Sequence, residues 1–199
     1  MPFDVLVDYT SASAVRGNVL AAVSAKRHVV VGSSGLTDDD FAQVDSAAQA
    51  ASVGVVAVGN FAISAALMQR FAVEAAQHLS SWEIIDYAYA GKMDAPSGMA
   101  RELAFRLSQV RTPEVAVPSE KTVGLPESRG GLLMGSPIHS IRLPGYTIGL
   151  EVIFGRADER LSIHYDAGPG AGPYIEGTLL AIRRVTEFRG LIRGLDRIL

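Results

Sequence analysis

The stretch with the most chemistry in it is Lys92-Met93-Asp94-Ala95-Pro96-Ser97-Gly98, which directly precedes a predicted helix from about Ser97 to Val110. Pro96 and Ser97 stand where that helix starts, and the first backbone N–H groups of a helix have no intrahelical partner. Together with the helix dipole they form a site for an anion, a carboxylate or a phosphate. Gly98 lets a ligand approach the backbone, and Lys92 adds a point charge or a proton. The same composition also suits a plain capped helix beside a solvated lysine. A second stretch, Gly32-Ser33-Ser34-Gly35, follows an apolar strand. Loops at the carboxyl ends of parallel strands are where open α/β sheets bind ligands, although a tight turn uses the same residue types. Asn60-Phe61 ends a third strand and fits a cofactor contact, a hinge, or an asparagine capping the next helix.

The histidines His28, His78, His139 and His164 lie far apart, and none has metal-ligand spacing. His28 and His78, near element ends, are expected at the surface; His139 and His164, on strands, are expected to be structural. Glu83, Asp86, Glu151 and Asp166 fall on predicted strands, where a carboxylate faces either a cavity or solvent. No G-x-S-x-G elbow, P-loop or metal motif is present. The chain has 199 residues and no cysteine, which removes thiolate nucleophiles, disulfides and sulfur-based zinc sites. Its 18 basic and 21 acidic residues argue against a nucleic-acid partner. No uncharged apolar run reaches about 18 residues, and Met1-Pro2-Phe3-Asp4 lacks the regions of a signal peptide. The expectation is a cytoplasmic protein with a small-molecule substrate and no membrane partner.

The elements that must position these residues change character along the chain. Val5-Leu6-Val7, His28-Val29-Val30-Val31 and Val53–Val58 are predicted strands, apolar throughout. They alternate with a helix over 11–26, capped by Ser11 or Ser13, and a second helix capped by Thr37, with Asp38, Asp39 and Asp40 at its positive end. That alternation predicts a parallel sheet covered on both faces. A long helix over 61–80, a strand over 82–89, and strands near 137–143, 146–154 and 160–166 follow, with a Pro- and Gly-rich loop over 111–136. Gly168-Pro169-Gly170-Ala171-Gly172-Pro173 is a break before a final helix from about Tyr174 to Phe188. The fold class is α/β: an incomplete Rossmann-like sheet over residues 1–60, then an α+β substrate and oligomerisation domain over 61–199 with a mostly antiparallel sheet. The final helix is free to pack back on the first domain.

Several of these segments resemble the 4-hydroxy-tetrahydrodipicolinate (dihydrodipicolinate) reductase family, in order and across nearly the whole chain. Val7-Asp8-Tyr9-Thr10 looks like its Asp-Phe-Thr strand end, and Gly32-Ser33-Ser34-Gly35-Leu36 like its Gly-Thr-Thr-Gly-Phe loop. Val58-Gly59-Asn60-Phe61-Ala62 is similar to its Ala-Pro-Asn-Phe-Ser segment. Lys92–Gly98 matches its Lys-x-Asp-Ala-Pro-Ser-Gly-Thr motif, the most specific piece. Gly135–Arg142 and Glu151–Gly155 fit its C-terminal sheet. The resemblance implies reduction of a cyclic imine-containing dicarboxylate by NADH or NADPH, in a homotetramer built through the second domain. It gives Lys92, Ser97 and Gly98 a carboxylate-binding role.

The chain also departs from the family pattern. Met99 replaces the motif's threonine, and the family's His-His proton donor falls on Ala88 and Tyr89. A tyrosine hydroxyl is a poorer acid than imidazolium at neutral pH. The family's arginine before the last helix is replaced by Gly168–Pro173, and its Gly-rich pyrophosphate turn lies ahead of where the match begins. These departures favour an enzyme that has lost nicotinamide-dependent reduction, needs no cofactor, and uses the substrate cavity for acid/base chemistry such as cyclisation, dehydration or isomerisation. Lys92 and Tyr89 are then the catalytic candidates, with Ser97, Gly98, Asp94, Met99 and Glu151 binding a carboxylate-bearing or cyclic substrate. The alternative is an NADH- or NADPH-dependent reductase, with Gly32, Ser33, Ser34, Gly35, Asn60 and Phe61 at the cofactor. A second alternative is a non-catalytic scaffold subunit. No metal is expected, and a homo-oligomer, dimer or tetramer, is.

Overall fold

The structure is a computed structural model and describes residues 3–199. The chain runs β1 (Val5–Asp8), α1 (Val15–Ser24), β2 (His28–Val31), α2 (Asp38–Ala51), β3 (Gly54–Ala57), α3 (Ile63–His78) and β4 (Ser81–Ala88). It continues with α4 (Gly98–Ser108), β5 (Gly131–Leu133), β6 (Ser136–Arg142), β7 (Ile148–Gly155), β8 (Arg160–Ala167), α5 (Gly172–Arg184) and β9 (Gly190–Arg193). It divides into two compact units, Met1–Ala66 with Ala171–Leu199, and Leu67–Gly170.

The first unit is a parallel sheet of strand order β1-β2-β3-β9. Its central strands are valine-rich throughout because both faces are covered. Val29, Val31, Val55 and Ala57 pack with Val15, Val19 and Val44 of α1 and α2. Val30 and Val56, one residue out of phase, pack with Ala181, Val185, Leu195 and Ile198. Helix α2 starts with a capping box: the Asp40 amide donates to Thr37 Oγ1 and the Thr37 amide to the Asp40 carboxylate. Helix α1 differs from expectation, since neither Ser11 nor Ser13 caps it. Their hydroxyls bond each other at 3.1 Å, and the helix enters through a turn in which Ala14 and Val15 donate to the Ser11 carbonyl. His28 is not simply a surface residue: its Nδ1 accepts the Gly54 amide at 2.9 Å, tying β2 to β3. Strand β9 was not foreseen; it is short, and its partner β3 lies far back in the sequence.

The second unit is built on a sheet of order β5-β6-β4-β7-β8, with β4 and β6 parallel and the other pairs antiparallel. Strand β4 alternates strictly. Trp82, Ile84, Asp86 and Ala88 are buried, while Glu83, Ile85 and Tyr87 are half-buried on the other face. The inner face packs under α4, whose Ala100, Leu103, Ala104 and Leu107 are buried. The Trp82 indole donates to Ser136 Oγ at 2.9 Å, so this inner face satisfies its polar edge. The segment between α4 and β6 is mostly irregular, with two 3-10 turns and the short β5. Among the described residues, no helix is long and apolar enough to cross a membrane.

Candidate active site

The Lys92–Gly98 segment leaves β4 through a tight turn in which the Lys92 amide donates to the Tyr89 carbonyl at 3.1 Å. The Tyr89 and Lys92 side chains therefore spring from the two ends of one turn. Tyr89 is exposed, and its ring lies over Gly91, where a Cβ would stand 3.7 Å from the ring edge. Lys92 Nζ holds Asp94 Oδ1 at 2.6 Å. That bond, with Arg101 beyond it, keeps the Asp94 carboxyl below its usual value. The Ala95–Pro96 peptide is cis. Ser97 is fully buried and caps α4, its hydroxyl accepting the Ala100 amide at 3.3 Å. Gly98 is exposed, and a Cβ there would meet only Arg101 Nη2, at 3.9 Å. The start of α4 thus offers an open glycine face with Lys92 and Arg101 nearby, an arrangement suited to an anion.

Asp86 lies beneath this turn, fully buried on the inner face. Its Oδ2 accepts the Ser97 amide at 2.8 Å, the Ser140 hydroxyl at 3.1 Å and Arg142 Nη2 at 2.7 Å. Arg142 also donates to the Asp94 carbonyl at 2.9 Å and to the Asp86 carbonyl at 3.0 Å. Asp86 was expected on a strand, facing either a cavity or solvent, and Ser140 and Arg142 carried no expected role. The acid stands alone on an otherwise apolar face of β4, while the facing positions of β6 read Ser136, Ile138, Ser140 and Arg142.

The remaining expected site residues are placed as follows. Met99 is buried, so its side chain belongs to the core and only its backbone stands at the helix start. Glu151 is on the sheet's other face, opposite Ile85 and His164 rather than beside Asp86. It is not part of the Lys92–Gly98 constellation, because strand residues one position apart point to opposite sides. There it joins a separate cluster: Tyr87 and Ser162 donate to it at 3.0 and 2.8 Å, and His164, paired to Asp166, stands 3.6 Å away. His139 is likewise paired with Glu83 at 2.7 Å, with Arg129 on the same carboxylate. Among the described residues no group of His, Asp or Glu is arranged to hold a metal.

In the first unit, Gly32–Gly35 and Asn60-Phe61 follow β2 and β3 at the carboxyl edge of the parallel sheet. The loop glycines serve the loop. The Tyr9 ring occupies the place of a Gly32 side chain, and Gly35 has φ +118° with the Ala12 backbone 2.6 Å from where its Cβ would be. Ser33 is turned inward, its hydroxyl donating to buried Asp8, which also accepts from Thr10 and Asn18. Burial pushes the Asp8 carboxyl up, but these donors outweigh it and hold it below its usual value. Ser34 and Gly59 remain outward, with open space where a Gly59 Cβ would be. The Asn60 side chain accepts the Ala62 amide at 2.9 Å, and Phe61 is buried against the Tyr9 ring, centroids 5.5 Å apart.

Comparison with known proteins bears on the whole chain. Family models described as dihydrodipicolinate reductase, N-terminus and C-terminus, match residues 1–61 and 64–199. The 4-hydroxy-tetrahydrodipicolinate reductase of Desulfitobacterium hafniense is 37% identical over 98% of this chain and 73% of its own length. That of a Synechocystis strain is 38% identical over 98% of this chain and 71% of its own. A dipicolinate-bound dihydrodipicolinate reductase from Paenisporosarcina sp. TG-14 superimposes with TM-score 0.88 and 31% identity, over 98% of this chain and 74% of that one. A probable dehydrogenase from Thermotoga maritima shares the fold alone, at TM-score 0.60 and 12% identity.

These relatives overturn the favoured sequence-based reading of a cofactor-independent cyclase, dehydratase or isomerase. Proteins this similar along nearly the whole chain are reductases, and a reduction needs an electron donor that amino-acid side chains here do not supply, so the expectation of no cofactor falls with it. The departures at Ala88, Tyr89, Met99 and Gly168–Pro173 sit in a chain that otherwise keeps the Ser97 cap, the Lys92–Gly98 turn and the carboxyl-edge loops. The chain belongs to the dihydrodipicolinate reductase family.

Proposed function

We propose that this protein is a 4-hydroxy-tetrahydrodipicolinate reductase using NADH or NADPH. The observation that carries the proposal is the Lys92–Gly98 turn, which offers an ammonium and an open glycine at a capped helix start, seated on a buried carboxylate. A cyclic dicarboxylate needs such a grip for one of its carboxylates. Lys92 supplies charge, the start of α4 supplies backbone donors, and Ser97 keeps that helix start in shape. Arg101 faces the same anion position.

The nicotinamide nucleotide supplies a hydride when bound. The residues present fit it: Ser34 and Gly59 leave outward room at the carboxyl ends of adjacent parallel strands, the position where such sheets take ligands. Gly32, Ser33, Gly35, Asn60 and Phe61 would act there by shaping the two loops. Reduction of a double bond also takes up one proton, and Tyr89 and Lys92 are the proton-bearing groups of the turn. With Ala88 buried and apolar, Tyr89 is the residue of that strand end able to give a proton.

We propose further that the protein is a homo-oligomer formed through the outer face of the five-stranded sheet. Exposed Leu132 and half-exposed Ile85, Ile141 and Ile153 share that face with Tyr87. A dimer or tetramer burying it takes these apolar strand side chains out of water.

The test is a steady-state assay in which freshly generated substrate drives loss of nicotinamide absorbance. Substrate-dependent oxidation of NADH or NADPH, inhibited competitively by dipicolinate, is the expected result. Failure to oxidise either nucleotide together with failure to bind dipicolinate overturns the proposal.

A further inference from the structure

Fully buried Asp86 paired with partly buried Arg142 is an unfavourable thing to build for stability alone. Burying two charges costs more than their attraction commonly returns, and apolar replacements of similar volume are often as stable. Here the pair is also incompletely satisfied, since Asp86 Oδ1 and Arg142 Nε are buried without a hydrogen-bond partner among the described residues. What the pair does hold is the candidate substrate turn, and it holds it at two points. Asp86 Oδ2 accepts the Ser97 amide at 2.8 Å, and Arg142 Nη2 donates to the Asp94 carbonyl at 2.9 Å and to the same Oδ2 at 2.7 Å. One guanidinium nitrogen thus links the strand carboxylate to the residue that pairs with Lys92, and the carboxylate links to the residue that caps α4. Arg142 Nη1 anchors the fork on the Asp86 and Ile141 carbonyls, both at 3.0 Å, so its plane is fixed by two strands.

We infer that Arg142 and Asp86 are positioning residues that set the spacing between Lys92 and the α4 start to fit a substrate carboxylate. The inference rests on the reductase reading above. Lysine in place of Arg142 keeps the charge opposite Asp86 but is a single point donor, unable to reach Asp86 Oδ2, the Asp94 carbonyl and the strand carbonyls together.

The experiment compares Arg142→Lys and Asp86→Asn with the parent protein in three readouts: thermal unfolding, dipicolinate affinity by calorimetry without nucleotide, and KM and kcat. A shift of about 1 Å in a substrate-holding group costs up to ~10²-fold. For Arg142→Lys the expected result is a rise of about tenfold or more in both KM and the dipicolinate Kd, with kcat changed less than KM and the protein still folded. A folded Arg142→Lys protein with unchanged KM and dipicolinate Kd overturns the inference and leaves the reductase reading standing. A parent protein that neither turns over nor binds dipicolinate overturns that reading instead. If Asp86→Asn unfolds the chain, as loss of one partner of a buried pair commonly does, Arg142→Lys still decides the question.

Discussion

Lys92 carries its charge at a half-buried position, and its recorded partner is the exposed carboxylate of Asp94. A pair with its carboxylate open to solvent contributes little to stability. Lys92→Ala is therefore expected to lower kcat/KM by roughly 10²-fold or more while leaving the unfolding free energy within about 0.5 kcal/mol of the parent, read from urea titration and steady-state kinetics. Tyr89 tests a different role. General-acid groups contribute about 10²- to 10⁴-fold, so Tyr89→Phe is expected to lower kcat by about 10²-fold with KM unchanged. An unaltered kcat would assign the proton to another group, with Lys92 first in line.

The two side-chain caps separate local stability from function at the level of elements. Thr37 caps α2 on an exposed face, and Ser97 caps α4 from a buried position beneath the candidate site. Removing either cap by alanine is expected to cost about 1 kcal/mol. Only Ser97→Ala is expected to raise KM as well, because the hydroxyl it removes holds the first turn of α4 at the candidate site through the Ala100 amide. Parallel denaturant and kinetic measurements on the two variants check this. Equal KM values would show that the α4 start is held without its cap. The strands act by alternation: Asp86 and Tyr87 are neighbours in sequence, yet one lies under the turn and the other points into the Glu151 cluster.

At the scale of the whole molecule, that cluster makes stability depend on pH. Burial pulls the His164 imidazole down, but bonding and attraction to Asp166 and Glu151 outweigh it and raise it above its ordinary 6.5. A group raised in the folded state stabilises fully below its unfolded value, and the contribution disappears as pH climbs through the folded value. Stability from His164 is thus fully present below pH about 6.5 and is lost as pH rises beyond that through its raised folded-state value. Glu151 works in the opposite sense. Burial pushes it up, yet Ser162, Tyr87 and His164 hold it below its ordinary 4.5, so its contribution is present above that pH and fades in acid. Tyr87 is pushed up to about 12 by burial and by its bond to Glu151, and it remains the donor throughout. His164→Gln is expected to flatten the decline of the unfolding midpoint between neutral and mildly alkaline pH. A variant with the parent's slope there would place the titration elsewhere.

The sequence by itself determined what depends on near neighbours. Apolar valine runs, the Thr37–Asp40 capping box and the Lys92–Gly98 turn ahead of a helix are all patterns closed within a few residues, and the structure has them where periodicity and capping chemistry put them. The family was legible for the same reason, since its motifs are short and ordered. What the tertiary structure decided is everything set by strand register. Asp86 meets Arg142, 56 positions further along the chain, because β4 and β6 run parallel with Asp86 opposite Ser140. Glu151 leaves the expected substrate site because β7 aligns it with Ile85, on the other side of the sheet. Strand β9 acquires its identity from β3, its neighbour in the sheet. A pleated sheet alternates its side chains every residue, so the face a charge occupies is fixed by a hydrogen-bonding partner distant in sequence, which no local pattern encodes.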